Sequence, residues 1–137
     1  TEHRFEKVEI INGTRFINDS KSTNFHSVSS ASERVKNALL IMHGITKNIP
    51  TSELQLSNEI KKIIIPNDMN LDHNLFHCEV EVIKSIFELE DILKKDFQRF
   101  ETVLFSCGGS SFNDFENYIE RGKFFKSIVK NLKGGQN

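Results

Sequence analysis

Residues 75–104 read LFHCEVEVIKSIFELEDILKKDFQRFETVL, and the spacing of their apolar side chains decides the predicted fold. Successive apolar positions lie three or four residues apart: Leu75, Cys78, Val82, Ile86, Leu89, Leu93, Phe97, Phe100 and Leu104. The mean interval is close to the ~3.6 residues per turn of an α-helix. The charges agree, because acidic residues precede Lys94 and Lys95, which is the order that the helix dipole favours. The pattern predicts one long helix over residues 75–105.

Shorter helical patterns lie on both sides of this stretch. Ser30-x-x-Glu33 has the form of a capping box, and similar signals begin with Ser52 and Ser111. They predict helices over residues 31–47, 52–65 and 111–133. A long amphipathic helix is not stable alone in water, so its apolar stripe needs neighbouring helices or a partner chain. We therefore expect a four-helix bundle-like arrangement around one long central helix.

The N-terminal segment, residues 1–20, has the pattern of a β-hairpin. Two runs with β-branched and aromatic residues, Phe5–Ile11 and Thr14–Ile17, flank Asn12-Gly13. This dipeptide readily adopts the positive φ angles of a type I′ turn. The predicted fold class is therefore mainly α, or α+β at the margin: an N-terminal β-hairpin followed by the four helices.

Length and composition limit the classes of protein that fit. The chain has 137 residues, enough for one domain over residues 1–137, and a formal net charge of −1. The balanced charge argues against a protein that is basic throughout and coats nucleic acid. No apolar run approaches the roughly 20 residues of a membrane span, so we expect no membrane association. Because the chain begins with Thr1, we expect it to be a fragment of a longer protein.

The cysteine content bears on the cellular compartment. Cys78 and Cys107 do not form the framework of bridges that is typical of small secreted domains. We therefore expect free thiols and an intracellular protein, either cytoplasmic or nuclear. Two triplets, beginning at Asn12 and Asn18, match the N-glycosylation acceptor pattern and leave a secreted alternative open.

Three groups of residues have the composition of a chemical site. A metal site would use the cluster Asp68, Asp72, His73, His77 and Cys78, but zinc needs three or four convergent ligands and the spacing supplies only one aligned histidine pair. Cys107 lies beside Gly108-Gly109 and would need a nearby base to act as a nucleophile. The segment Gly108–Ser111 precedes a predicted helix and offers backbone N–H groups to an anion, but it lacks the lysine of a P-loop. We predict no metal and no cofactor, and catalytic residues stay unassigned.

Two distant segments carry a likeness to an enzyme family. Ser27-x-Ser29 and, further along, Glu79-x-Glu81 loosely resemble the Ser-x-Ser and Glu-x-Glu elements of mono-ADP-ribosyltransferases. The resemblance implies that Glu81 orients the nicotinamide ribose and assists transfer. It requires residues 76–83 to be a strand, and it requires Ser27 to lie near Glu81. An ADP-ribosyltransferase-like domain, active or degenerate, is therefore the enzymatic alternative.

The last predicted helix carries a basic face. Its lysines recur at intervals of three, four and three residues: Lys123, Lys126, Lys130 and Lys133. Such a face is typical of a solvated surface or of one that binds an acidic partner, and nucleic-acid binding is a further alternative. Since no group of residues reaches the density of an active site, we expect a non-catalytic interaction or regulatory domain. It would bind a protein partner, or a second copy of itself, through its helix faces, with these four lysines as the candidate partner-binding residues.

Overall fold

A six-stranded sheet forms the centre of the structure, a computed structural model that describes residues 1–46 and 49–136. Its strands are β1 (Glu6–Ile11), β2 (Thr14–Asp19), β3 (Ala38–His43), β4 (Ile60–Pro66), β5 (Glu79–Ile83) and β6 (Thr102–Gly108). Their spatial order is β1-β2-β6-β3-β4-β5. Only the β1–β2 pair is antiparallel; the other four pairs are parallel. The fold is therefore α/β, and the prediction of a mainly α helical bundle is wrong.

Three α-helices cover the two faces of this sheet in the described chain. They are α1 (Phe25–Ser32), α2 (Leu89–Asp96) and α3 (Tyr118–Gly134). Single 3₁₀ turns lie at Thr51–Glu53, Asn67–Met69, His73–Leu75, Ile86–Glu88 and Phe97–Arg99. The apolar cluster on one face contains α1, and the cluster on the other face contains α2 and α3. Helices on both faces of a mostly parallel sheet are the arrangement that buries every apolar face of such a sheet.

The central strands explain why the sheet forms. All six residues of β3, ALLIMH, and all seven residues of β6, TVLFSCG, are buried. A strand with helices on both of its faces is buried on both sides, so its sequence is a continuous apolar run rather than an alternation. The run Ala38–Met42 was assigned to a helix, although a run of this length is typical of an interior parallel strand.

The long helix predicted over residues 75–105 does not exist. The segment contains β5, α2 and the start of β6, joined by 3₁₀ turns. Ser85 has an extended backbone and caps a new helical turn with Glu88, so the helical path begins there and not at Leu75. Residues before Ser85 pair with β4, for example Val80 with Ile63. The 3.6-residue spacing therefore runs by coincidence through strand, helix and strand, and pairing with β4 overrides it.

The other predicted helices are also displaced. Within the segment 31–47, the helix α1 ends at Ser32 and β3 follows, while residue 47 lies outside the described residues. The segment 52–65 begins in a 3₁₀ turn and joins β4 at Ile60. In the segment 111–133, helix begins only at Tyr118, where Asn117 accepts the N-cap hydrogen bond from the Glu120 N–H. The N-caps of α1 and α3 are Asn24 and Asn117, whereas the prediction placed Ser30 and Ser111 there.

The N-terminal hairpin predicted over residues 1–20 is present. β1 and β2 pair in antiparallel register, and Ile11 lies opposite Thr14. Asn12 and Gly13 both have positive φ angles, 49° and 87°. This is the backbone of a type I′ turn, as the local sequence predicted.

A buried lysine joins β4 to its neighbours at the amino-terminal edge of the sheet. Lys62 is 4% exposed, and its Nζ lies 2.8 Å from Glu81, 3.1 Å from Asp96 and 3.5 Å from Glu79. Burial opposes the charged form, but the hydrogen bonds with Glu81 and Asp96 outweigh it and raise the pKa of Lys62. The lysine therefore ties β5 and the end of α2 to β4.

Replacing Lys62 is expected to destabilise the fold strongly. Lys62→Ala would remove the cation that Glu81 and Asp96 share and leave Asp96 with Arg99 alone, so the free energy of unfolding should fall by about 2 kcal/mol. Urea denaturation followed by circular dichroism measures this change. The neighbouring Lys61 is exposed, and Lys61→Ala should change the free energy by less than about 0.5 kcal/mol. Equal effects of the two variants would contradict the assigned role of Lys62.

Candidate functional site at the carboxyl ends of the strands

The chain leaves neighbouring strands over opposite faces of the sheet at one position. After β2 the chain passes to α1 on one face, whereas after β6 it passes to α3 on the other face. β2 and β6 are adjacent, and β3 lies on the other side of β6. In open α/β sheets, ligands bind outside the carboxyl ends of the strands where such a reversal opens a crevice. We therefore take the ends of β2, β6 and β3 as the candidate site.

Arg121 connects these three strand ends through hydrogen bonds. It is a fully buried side chain of α3. Its guanidinium donates to the backbone oxygens of Ser20 (2.7 Å), Gly109 (2.8 Å) and His43 (3.1 Å), which lie at or just after the ends of β2, β6 and β3. It also donates to Ser20 Oγ at 3.0 Å. A buried cation is tolerated when its donors are satisfied, and here the acceptors are mainly neutral carbonyl groups.

The contact with Arg121 determines the protonation state of His43. Arg121 donates to His43 Nδ1 at 3.2 Å, and because a guanidinium cannot accept a proton, Nδ1 must carry the lone pair. The proton of the neutral ring is then on Nε2, which donates to Asp114 Oδ2 at 2.8 Å. Burial lowers the pKa of His43; the hydrogen bond to Asp114 opposes this shift, and the positive charge of Arg121 adds to it. His43 thus links α3 to the loop that follows β6.

Two glycines allow the loops after β3 and β6 to touch. Gly44 has a φ of 127°, and a Cβ there would meet backbone atoms of Gly109 and Ser110 closer than 3 Å. The close approach permits paired hydrogen bonds between Ile45 and Ser110, at 2.9 and 3.0 Å. The contact joins the loops after β3 and β6, and a cavity lies on each side of it: one of about 400 Å³ lined by Gly44, Ile45 and Asp68, and one beside the end of β2.

A cavity of about 380 Å³ opens there, between the end of β2, the N-terminal segment and α1. Asp19 forms part of its wall. Its carboxylate accepts the Phe5 N–H at 2.9 Å and the Ser106 hydroxyl at 2.7 Å, which connects the N-terminal segment to β6. Burial raises the pKa of Asp19, while these two hydrogen bonds oppose the shift. Phe5 has a φ of 42°, an uncommon conformation for a bulky residue that its hydrogen bond to Asp19 helps to hold.

The cavity is basic, and its wall contains an unsatisfied hydroxyl. Its lining includes the side chains of Arg4, Lys21, His26 and Arg34. Ser22 also lines it, and its Oγ has no hydrogen-bond partner among the described residues although Ser22 is only 3% exposed. The Ser22 Oγ lies beneath the surface of the cavity, so the basic side chains are the groups that can meet an anion there.

The residues considered earlier as chemical candidates have other positions. Cys107 is fully buried in β6, and burial raises the pKa of its thiol to about 12, so the thiolate that a nucleophile requires does not form at neutral pH. Within residues 1–46 and 49–136, no three His, Cys, Asp or Glu side chains converge as a metal site would require. No helix in this part of the chain is long and apolar enough to cross a membrane.

The two elements of the transferase resemblance lie far apart. Residues Glu79–Ile83 do form a strand, β5, as that alternative required. However, Ser27 belongs to α1, which packs against β6, and β5 lies three strands away from β6. Three strand spacings amount to about 14 Å, and Glu81 is engaged by Lys62. The structure therefore separates the residues that the resemblance brings together.

The four lysines of α3 are on the outer side of the helix, and three of them have partners within the chain. Lys126 binds Glu6 at 2.7 Å and Glu2 at 3.0 Å, while Lys133 binds Glu9 at 3.0 Å. Lys123 lies 3.4 Å from Glu120, and Lys130 is exposed. Much of this basic face thus holds β1 against α3. Its role in binding a partner stays a prediction, as does self-association.

Sequence reasoning missed the residues that build the site. Arg121 and His43 stand in no motif, and only the fold brings them together. For the Asp19–Ser22 segment a signal did exist, because polar residues follow directly after a buried strand. Without a predicted parallel sheet, whose strand ends meet at one edge, this segment has only the pattern of a loop.

Comparison with known proteins gives a consistent picture. The chain is similar to bacterial ligases. It is 36% identical over 139 residues to the UDP-N-acetylmuramoylalanine–D-glutamate ligase of Thermosipho africanus and 33% identical over 150 residues to that of Pseudothermotoga lettingae. The matches cover 98% and 96% of this chain but 33% of each relative, so the chain spans about one third of the length of these curated relatives. No family model matches.

A solved structure shares the fold. The folylpolyglutamate synthase of Thermotoga maritima superimposes on the whole of this chain with a TM-score of 0.54 and 20% sequence identity, over 32% of its own length. The shared fold contradicts the expectation of a helical bundle. The similarity to ligases contradicts the expectation of a non-catalytic interaction or regulatory module and that of an ADP-ribosyltransferase. Nucleic acid as a partner stays a prediction.

Because the loops after β3 and β6 touch at Gly44, we expect a side chain at this position to destabilise the protein. Gly44→Ala should lower the free energy of unfolding by about 2–3 kcal/mol, because the backbone conformation disfavours a side chain and the Cβ would collide with Gly109. Gly134→Ala is the matched control, since a Cβ there meets nothing within 4 Å and alanine favours helix. Denaturant unfolding of both variants measures the difference. A harmless Gly44→Ala would contradict the close approach.

The neutral state of His43 predicts a pH dependence of stability. Its folded pKa is lowered, so its contribution is fully present above the unfolded pKa of about 6.5 and is lost as the pH falls towards the folded pKa. The free energy of unfolding should therefore decrease between about pH 7 and pH 5, and less so in His43→Gln. The exposed His73 is the control position, and His73→Gln should keep the original slope. A slope unchanged in His43→Gln would show that His43 is not buried in its neutral form.

Proposed function

We propose that the chain is a substrate-binding domain of a ligase of the UDP-N-acetylmuramoylalanine–D-glutamate type. The cavity beside the end of β2 would bind an anionic substrate group. The observation that carries this proposal is the position of the basic cavity at the point where the chain leaves β2 and β6 over opposite faces. The sequence similarity over 98% of the chain to a named ligase supports it.

The charges of the site suit the chemistry of such a reaction. A ligase forms a bond between two substrates at the expense of a nucleoside triphosphate, and the relatives are named for D-glutamate and a UDP-linked substrate. All of these molecules carry carboxylate or phosphate groups. Arg4, Lys21 and Arg34 supply positive charge at the cavity and can form charge-assisted hydrogen bonds with an oxyanion.

Hydrogen bonds at the strand ends hold the groups of the proposed site in fixed positions. The hydrogen bonds of Arg121 fix the ends of β2, β3 and β6 relative to one another before any substrate arrives. Binding to groups that are already in place avoids the entropic cost of ordering them. Lys21 is also held, because its Nζ lies 4.6 Å above the ring of Tyr118 and donates to the Tyr118 hydroxyl at 3.3 Å.

The proposed activity also bears on the compartment. UDP-linked substrates occur in the cytoplasm, so we propose an intracellular, cytoplasmic location. The relatives are bacterial proteins, and nothing in them supports the nuclear location considered at first.

The proposal predicts a charge-dependent ligase activity. In the full-length enzyme that carries this domain, Arg4→Gln and Lys21→Gln should each lower kcat/KM for D-glutamate-dependent product formation by about 10- to 100-fold, since each removes a charge-assisted contact. A coupled assay for amide-bond formation with UDP-N-acetylmuramoylalanine and D-glutamate measures this.

Lys95→Gln is the matched control, because it removes a charge from an exposed position of α2, away from the crevice. Its activity should stay within about twofold of the unmodified enzyme. Unfolding midpoints equal to that of the unmodified protein would show that the cavity variants are folded. Full activity in both cavity variants would refute the proposal.

A further inference from the structure

A second basic cavity lies at the opposite, amino-terminal edge of the sheet. It has a volume of about 410 Å³, within the range of small-molecule sites. Cationic side chains from three segments line it: Lys7 of β1, Arg15 of β2, and Arg34 and Lys36 of the α1–β3 connection. Its remaining walls include the buried residues Ile17, Val35 and Thr102.

Lys7, Arg15 and Lys36 lack the close counter-ions that other basic residues of the protein have, whereas Arg34 lies within electrostatic range of Asp19. Lys62, Lys126 and Lys133 each lie within 4.0 Å of a carboxylate. Across the described ranges 1–46 and 49–136, no such pair involves Lys7, Arg15, Arg34 or Lys36, and Glu101 is the one carboxylate residue that lines the cavity. A concave surface with an excess of one charge concentrates its field and attracts ions of the opposite sign.

The geometry favours a phosphate group among anions. Two of the four cations are arginines, whose planar guanidinium groups bind phosphate oxygens in pairs. The Arg34 guanidinium lies 3.7 Å from the centre of the Phe5 ring, and this stacking limits its motion. Binding by a group that is already ordered costs less conformational entropy.

The cavity is separate from the candidate ligase site. Arg15 pairs with Thr102 at the start of the parallel strands, whereas Asp19 pairs with Ser106 at their ends. Four residues of extended strand separate these positions, which is about 13 Å. Phe5 and Arg34 line both cavities and stand between them.

We propose that this amino-edge cavity is a second anion site, which binds a small phosphate-bearing ligand. Arg15 and Arg34 bind the phosphate oxygens in a bidentate manner, and Lys7 and Lys36 contribute further positive charge. Its position at the other end of β2 distinguishes it from the carboxyl-edge cavity, with which it shares Arg34 as a lining residue.

Isothermal titration calorimetry of the intact chain with pyrophosphate and with orthophosphate tests this. Pyrophosphate should bind with an affinity that falls as salt is raised. The double variant Arg15→Gln/Lys36→Gln should weaken binding by about 10-fold or more, since it removes two charged contacts. Lys84→Gln/Lys95→Gln is the control of equal charge change, at exposed positions outside the cavity, and should bind within about twofold of the unmodified chain. Tighter binding of pyrophosphate than of orthophosphate would indicate a diphosphate ligand, and the reverse would indicate free phosphate.

Amide chemical shifts locate the bound anion. Shifts at Arg15, Lys36 and Thr102 on addition of pyrophosphate would support the proposal. Absence of binding, equal weakening in both double variants, or shifts confined to Ser22 and its neighbours would each overturn it. Arg4→Gln, which lowers ligase activity under the first proposal, should leave the shifts at Arg15 and Thr102 in place, so that failure of one proposal is distinguishable from failure of the other.

Discussion

The buried guanidinium of Arg121 is the constraint on which the site depends. A charged group without solvent must have its donors satisfied by the protein, and the acceptors available to Arg121 are the backbone oxygens at three strand ends together with Ser20 Oγ and His43 Nδ1. The strand ends therefore cannot separate without exposing an unpaired cation. The same requirement keeps His43 neutral and directs its remaining proton to Asp114, so that the loop after β6 is held as well.

Burial on both faces of the sheet produces the crevice above Arg121. The apolar clusters on the two faces require helices on both sides, and the chain supplies them by leaving β2 over one face and β6 over the other. This divergence leaves polar backbone and side-chain groups at the carboxyl edge without a cover. The contact between Gly44 and Gly109 joins two of the strand ends, and the basic cavity lies beside the third, the end of β2. Packing of apolar residues far from the carboxyl edge thus determines where this cavity opens.

Local signals in the sequence succeeded where the structure is local. The turn at Asn12-Gly13 depends on the conformational preferences of two residues, and the hairpin formed as predicted. The order of charges around Lys94 and Lys95 marks a true helix, although α2 has only the eight residues Leu89–Asp96. The apolar spacing over residues 75–104 predicted the wrong structure, because these residues belong to separate strands and helices that pack independently. Parallel pairing joins residues distant in sequence, Val80 with Ile63 for example, and no short-range period records it.

By itself, the sequence of this protein determined the hairpin, the presence of helical segments after Ser85 and Asn117, and the absence of an apolar run long enough for a membrane span. Each follows from residues that are neighbours in the chain. Only the tertiary structure decided that Ala38–Met42 is a strand, that Cys107 is an inert core thiol, and that Ser20, His43 and Gly109 share one arginine. The physical reason is that burial and hydrogen-bond satisfaction act between residues far apart in the chain, 101 positions in the case of Ser20 and Arg121, and such pairs leave no trace in local spacing.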